Sequence, residues 1–481
     1  MDTVRRDSTG RSAAVVDRAT PGDVVTLAMD FGPVPAHIGA VLRFAGIPGG
    51  DPTVIERLVA QRARAVPRLR QRLVRVPLGC GRPVWVDDPA ADPAGHIRRI
   101  ACPAPGDERA LLDLAARIMT TPLPPTRPLW SAAVVTGLAD GHIALLVVLH
   151  HIMADGVGGL AVLSALADGA AQPGPLRPPR PAPTRGQLAA DSTARHRQAL
   201  RRLPASVRSL RRWLGAAGGS RPDSAAICSL LGPVGRRRRY EVVRVDAAPL
   251  RAVAHRHGAT VNDAVLVAIT AALRDLLAAR GEAVDSVAVG VPVSLRRSAA
   301  AGQLGNQVAP ILVRVPVTGD VPDRLQRVAT AVRAGRATAT QPPPAAVATA
   351  MWWAARLNLL RRYMTHQRRM HTMVSSIHGP DHHISVGGST VVSIVPLVSA
   401  ETGNVRISFD VLSYAGTLAI TAVADPDAVP DLSHLAAALR RQLTMLAATP
   451  ASSGDNGNVP GEPPSVPQRA EADSGRHAGP G

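Results

Sequence analysis

Leu149-His150-His151-Ile152-Met153-Ala154-Asp155-Gly156-Val157-Gly158-Gly159 stands at the end of an apolar run over residues 143–149 and ahead of a second apolar stretch over 157–167. The first run reads as a buried strand and the second as a helix, so two adjacent imidazoles sit where a strand gives way to a loop. If the backbone stays extended there, His150 and His151 point to opposite sides, one to the core and one to a cleft. A histidine with an unperturbed pKa near 6.5 serves as a general base at neutral pH. Asp155 is placed either to orient an imidazole or to tie the loop down through an arginine. Gly156, Gly158 and Gly159 permit a tight turn and close approach of a ligand to the backbone. Adjacent histidines with diverging side chains are poor co-ligands, so no metal is expected at His150, His151 and Asp155. There is no Gly-x-Ser-x-Gly elbow and no cysteine close in sequence to a histidine, so nothing indicates a covalent nucleophile.

Outward from this stretch the pattern is mixed. Residues 131–135 form a strand that the Asp140-Gly141 turn joins to 143–149 as a hairpin. Upstream, 25–44 alternates around Gly32-Pro33 and predicts two strands. Residues 53–72 and 107–119 predict helices, and 82–89 and 97–100 short strands. Residues 172–190 are rich in proline and read as a linker. The basic amphipathic stretch 200–214 carries two readings: a membrane-surface helix with Trp213 at the interface, or a solvated helix broken at Pro204. Beyond it, 240–245, 286–293 and 308–317 predict strands; 249–257, 261–280, 320–336 and 345–364 predict helices. Thr260 and Asp263 form a capping pattern at the start of the second of these. A hairpin about Tyr414-Ala415-Gly416 and a helix from Asp431 to 446 follow. The expected division is a loose N-terminus (1–24), an N-terminal half (25–171), a crossover (172–235), a C-terminal half (236–448) and a disordered tail (449–481).

Composition narrows the function classes. All 55 basic residues are arginine and the net charge is +19, which favours acidic partners but also reflects a compositional bias. With only 2% aromatic residues, stacking platforms for nucleic acid are scarce, and no nucleic-acid partner is expected. Three widely spaced cysteines, Cys80, Cys102 and Cys228, fit a reducing compartment. No secretory h-region and no apolar run of about 18 residues is visible, so a cytoplasmic location is expected, with room for peripheral attachment.

The blocks together carry a resemblance. His150-His151-Ile152-Met153-Ala154-Asp155-Gly156 resembles the HHxxxDG signature of acyl-CoA-dependent acyltransferases and condensation domains. Arg127-Pro128-Leu129-Trp130, Val261-Asn262-Asp263, Val291-Pro292-Val293-Ser294-Leu295-Arg296 and Gly305-Asn306-Gln307-Val308 resemble further blocks of the bacterial wax ester synthase/diacylglycerol acyltransferase family. So do 66–72 and Leu412-Ser413-Tyr414-Ala415-Gly416, and all occur in family order over about 25–446. The resemblance implies an α/β (α+β) fold of two chloramphenicol-acetyltransferase-like halves, as in condensation domains, with a tunnel between them. It implies fatty acyl-CoA as co-substrate, no bound cofactor, and diacylglycerol or a long-chain alcohol as acceptor, with a membrane or lipid-droplet surface as a further partner. His151 becomes the base, His150 a structural neighbour, and Asp155 a brace pairing with Arg296. Asn262, Gly388 and Ser389 become substrate contacts, the last two bordering the acyl tunnel; Trp130 is expected in the core. Three places depart: SNVPGP in the family is Ser375-Ser376-Ile377-His378-Gly379-Pro380 here, Leu123-Pro124 stands where a Leu-Asp pair is common, and Leu231 replaces a usual asparagine before Gly232-Pro233. The alternatives are an acyltransferase of the same fold with another hydroxyl acceptor, and a non-catalytic lipid-binding paralogue.

Overall fold

In the computed structural model the strand at the centre of the sequence reading, Ala144–His150, is buried along its whole length and flanked by antiparallel partners. Its alternation divides two cores. Leu145, Val147 and Leu149 enter one apolar cluster, and Ala144, Leu146 and Val148 enter another on the opposite face. The structure describes residues 16–46, 51–77, 79–170, 178–201, 224–296, 304–339, 345–399 and 403–449. Those up to Ala448 belong to one compact unit.

That unit holds two six-stranded sheets and a small three-stranded one. The first sheet runs, in spatial order, Ser385–Val386, Ser389–Val398, His37–Phe44, Ala144–His150, Trp130–Thr136 and Ile97–Ala101. The second runs Val308–Pro316, Ser286–Ser294, Thr372–His378, Ile407–Tyr414, Thr417–Ala424 and Arg239–Asp246. Helices Val261–Ala279, Val321–Thr338 and Leu432–Ala447 share the second sheet's core. Trp130 is buried, stacks on His96 and donates its indole N–H to the Leu69 carbonyl, a core position.

Several expectations are corrected. The strand Ser389–Val398 lies in the C-terminal half of the sequence but pairs antiparallel with His37–Phe44, so the halves exchange a strand. Residues 16–24 are ordered: Asp17–Arg18 pairs with Val84 and Trp85, and Thr20 and Asp23 close a capping box on the helix Pro21–Met29. The first of the two strands expected in 25–44 is therefore the body of that helix. The helix expected over 53–72 stops at Ala63, and Pro67 opens a 3-10 turn into the strand Gln71–Val74. Arg185–Arg201 is a helix where the linker was expected to run to 190. Most of the basic stretch 200–214 lies outside the described residues, as does the tail expected to be disordered. The helix expected over 345–364 is two helices, Ala345–Arg356 and Leu359–Met364, broken where Asn358 turns left-handed at φ 61°. Among the described residues, no helix is long and apolar enough to cross a membrane.

Candidate active site

His150 closes its strand and His151 opens the loop, and their surroundings differ. His150 is buried; the Ile152 N–H donates to its Nδ1 at 3.2 Å, so Nε2 carries the proton and donates to Asp30 Oδ2 at 3.0 Å. Burial alone raises the Asp30 pKa, but the contact with His150 and the Ala36 N–H hold it below the usual carboxylate range. His151 donates its backbone N–H to the Ala36 carbonyl at 2.8 Å, so the segment 30–36 fixes both imidazoles.

The His151 ring is set by a residue from the other half. Its Nδ1 lies 3.0 Å from Asn306 Oδ1. Asn306 Nδ2 donates to the His151 carbonyl at 2.8 Å and approaches Asp23 Oδ1 at 3.3 Å, and its backbone N–H donates to the same Asp23 oxygen at 2.9 Å. Both partners of Nδ2 are pure acceptors, so the amide cannot flip. Oδ1 must face His151, Nδ1 must carry the proton, and the lone pair is left on Nε2. Burial holds the His151 pKa below 6.5, so the ring is neutral at pH 7. A neutral imidazole with Nε2 open is ready to take a proton.

Asp155 caps the helix Gly156–Leu166 through the Gly158 N–H at 2.8 Å. Its other oxygen accepts the Gln307 N–H at 2.9 Å, and Arg296 Nη2 lies 3.1 Å from it while also donating to the Gly305 carbonyl at 2.5 Å. Both side chains of this pair are nearly out of water. Gly305 donates to the Met153 carbonyl and bridges to Ala154 at φ 107°, a conformation that favours glycine. A Cβ there would stand 3.3 Å from Asp23 Oδ1. The segment 304–307 is thus stitched onto the histidine loop along its length.

His151 and Asn306 line a cavity of about 300 Å³ walled by both sheets. Ile38, Val147 and Ile394 face it from the first sheet, Pro292, Ile377 and Leu412 from the second, and Leu160 from the helix after Asp155. Gly156 lines it at helix position N1, where a Cβ would come within 2.5 Å of Ile377 Cδ1. On Thr372–His378 the lining residues are Met373, Ser375 and Ile377. Ser376 and His378, which replace the family's asparagine and proline, do not line it, as the period of two requires.

Three sequence-expected contacts are not brought to the cavity. Asn262 sits in the first turn of Val261–Ala279, where the Thr260–Asp263 cap needs no help from it, and both its amide atoms are buried without a partner. Gly388 donates its N–H to Asp168 Oδ2 in a turn, and Ser389 starts the exchanged strand. The cavity is reached only at Ile394, about 17 Å further along an extended chain. Sequence reasoning in turn gave no role to Asn306, Asp23, Asp30 or His37. His37 lines the cavity, and burial pushes its pKa down to about 4. The usable signals were the Gly305-Asn306-Gln307-Val308 block and the Thr20-Pro21-Gly22-Asp23 capping pattern. Among the described residues no group of three metal-ligating side chains is assembled.

Known proteins place this geometry. The wax ester synthase/diacylglycerol acyltransferase catalytic domain matches residues 20–265, and the C-terminal domain of the same family matches 304–447. The chain belongs to the wax ester synthase/diacylglycerol acyltransferase family. It is an acyltransferase. A protein of Mycobacterium tuberculosis named as a probable diacylglycerol O-acyltransferase is 32% identical over 432 residues, covering 85% of this chain and 91% of the relative. The wax ester synthase/diacylglycerol acyltransferase of Marinobacter aquaeolei VT8 shares the fold, with TM-score 0.64 and 21% identity over 89% of this chain and 98% of that one. The first condensation domain of the calcium-dependent antibiotic synthetase does so too, with TM-score 0.64 and 20% identity over 92% and 98%. The expected α/β, condensation-domain-like fold of this family is the observed one.

Proposed function

We propose that this acyltransferase moves a fatty acyl group from acyl-CoA to the free hydroxyl of diacylglycerol, with His151 as general base and no acyl-enzyme. One observation carries the reading: the Asn306 amide commits His151 Nδ1 to donation, which presents Nε2 as acceptor toward an apolar cavity. Nε2 takes the acceptor's proton as its oxygen attacks the thioester carbonyl. The tetrahedral adduct collapses, the C–S bond breaks, and the same proton passes to the departing thiolate. Proton transfer of this kind is worth about 10²–10⁴ in rate. Neither Asp155 nor Arg296 lines the cavity, and the part of this pair is to hold the loop against the second sheet.

The mycobacterial relative's name favours diacylglycerol over a simple alcohol as acceptor, and the family's name keeps the long-chain alcohol as the second reading. Incubating the purified chain with palmitoyl-CoA and either diolein or hexadecanol separates them. Triacylglycerol should form at least tenfold faster than wax ester; a preference for hexadecanol overturns the acceptor assignment. The reading includes work at a lipid surface, where such acceptors are held.

A further inference from the structure

The helix pair Ala345–Arg356 and Leu359–Met364 is apolar on two sides. One side is accounted for: Leu360 and Met364 pack with Ala28, Met29 and Trp352 against the helix Pro21–Met29. The other faces water. Trp353 is 50% exposed, Leu357 64%, Leu359 57% and Tyr363 51%, four of the eight large exposed hydrophobics among the described residues. Trp353 and Leu357 are four apart, as are Leu359 and Tyr363, and Leu357 stands in the break between the two helices. Solitary exposed hydrophobics are ordinary, whereas a contiguous group marks an interaction surface.

The charge along this stretch of sequence has one sign. Between 345 and 371 the sequence has five arginines, Arg356, Arg361, Arg362, Arg368 and Arg369, and no acidic residue. All five are exposed. A tryptophan and a tyrosine beside leucines, ringed by arginine, match the boundary of a bilayer, where amphipathic rings and basic heads meet acyl chains and anionic phosphates. On its covered side the helix pair adjoins the site. Met29 packs against the helix pair and lines the cavity, together with Val25 and Thr26 of the same helix.

We propose that this helix pair docks the enzyme on an anionic phospholipid surface and sets the wall formed by Pro21–Met29 toward the lipid that supplies the acceptor. The inference rests on the reading of a lipid acceptor, but its physical core is a binding event that needs no turnover. The test is flotation of the full-length chain with vesicles of phosphatidylcholine containing 30% phosphatidylglycerol. The wild type should float, and should be released by about 1 M salt, where the Debye length shrinks to about 3 Å. Leu357→Glu with Leu359→Glu, and separately Arg361→Glu with Arg362→Glu, should each lower the bound fraction on the order of tenfold, each arginine near an anionic surface contributing roughly fivefold. Thiol release with a short water-soluble alcohol should be unchanged in both variants, which also reports that they fold. Undiminished flotation of both variants overturns the proposal. So does loss of a wild-type dimer in the variants with no change in flotation, which would make the patch a contact with a second copy. Flotation without acyl transfer would sink the acceptor reading and leave the docking surface standing.

Discussion

Two capped helix starts, one with Asp155 at the cap and one with Thr260 at the cap and Asp263 answering it from the third helical position, do different work. At 260–263 the Thr260 and Asp263 side chains answer each other's backbone N–H groups, and the exchange ends there. At 155–158 the cap is only one of Asp155's contacts; the others are Arg296 and the Gln307 N–H, both from the second half. The first is local chemistry that any helix uses. The second makes a helix start into a joint between sheets. What separates them is not the residue type but what the rest of the fold brings to it.

The largest break of this comparison is Asp155→Ala. It removes the cap and leaves Arg296 buried without its carboxylate, which costs roughly 3–5 kcal/mol. Thr260→Ala should cost only about 1 kcal/mol and leave kcat unchanged. Denaturant unfolding with both variants checks the contrast; equal losses would erase it. A double-mutant cycle on Asp155→Asn and Arg296→Gln should show coupling that no partner of Asp263 can match.

The two asparagines sharpen the same lesson at smaller cost to the fold. Asn306→Ala frees His151 to adopt either tautomer and should lower kcat by about 10²-fold, within the span of general-base effects, with little change in KM. Asn262→Ala removes an amide whose two polar atoms have no partner, so stability should stay level or rise slightly. A kcat loss at Asn262 comparable to that at Asn306 would restore it to the site.

Legibility followed sequence distance. The hairpin into Ala144–His150, the helix after Asp155 and the Thr260 cap are decided within a dozen residues by period, turn and cap signals, and they stand where the sequence placed them. The exchanged strand Ser389–Val398 is decided by a partner some 350 residues away, and it contains Pro396, a residue that disfavours a paired interior strand. Among the described residues only Ser385–Val386 pairs along its opposite edge, far from Pro396, and an open edge is where a sheet tolerates proline. Arg296 was legible as a partner for Asp155 because it ends a motif strand. The Asn306 amide facing His151 was not, because its orientation follows from Asp23, in a stretch that reads from sequence as a loose N-terminus.

A smaller test uses pH. His37 is buried beside His150 and Asp30, and its pKa drops from 6.5 unfolded to about 4 folded. The unfolded chain therefore binds more protons in this window, and stability falls as pH drops from 6.5 toward 4, by roughly 3 kcal/mol in full. It is intact above 6.5. His96, His151 and His371 are also held below 6.5 by burial, so His37→Asn should make the profile between 6.5 and 4 shallower rather than level; an unchanged slope in thermal melts would contradict the assignment.

The central claim is that His151 Nε2 moves the acceptor proton. Thiol release from palmitoyl-CoA with diolein, measured against pH for the wild type and His151→Ala, tests it most directly. The wild-type rate should be level from pH 7 to 8 and fall only below 6.5, the acid limb following the lowered pKa of His151. The variant should lose at least 10²-fold and show no acid limb. Release that persists in His151→Ala at the wild-type rate would contradict the account.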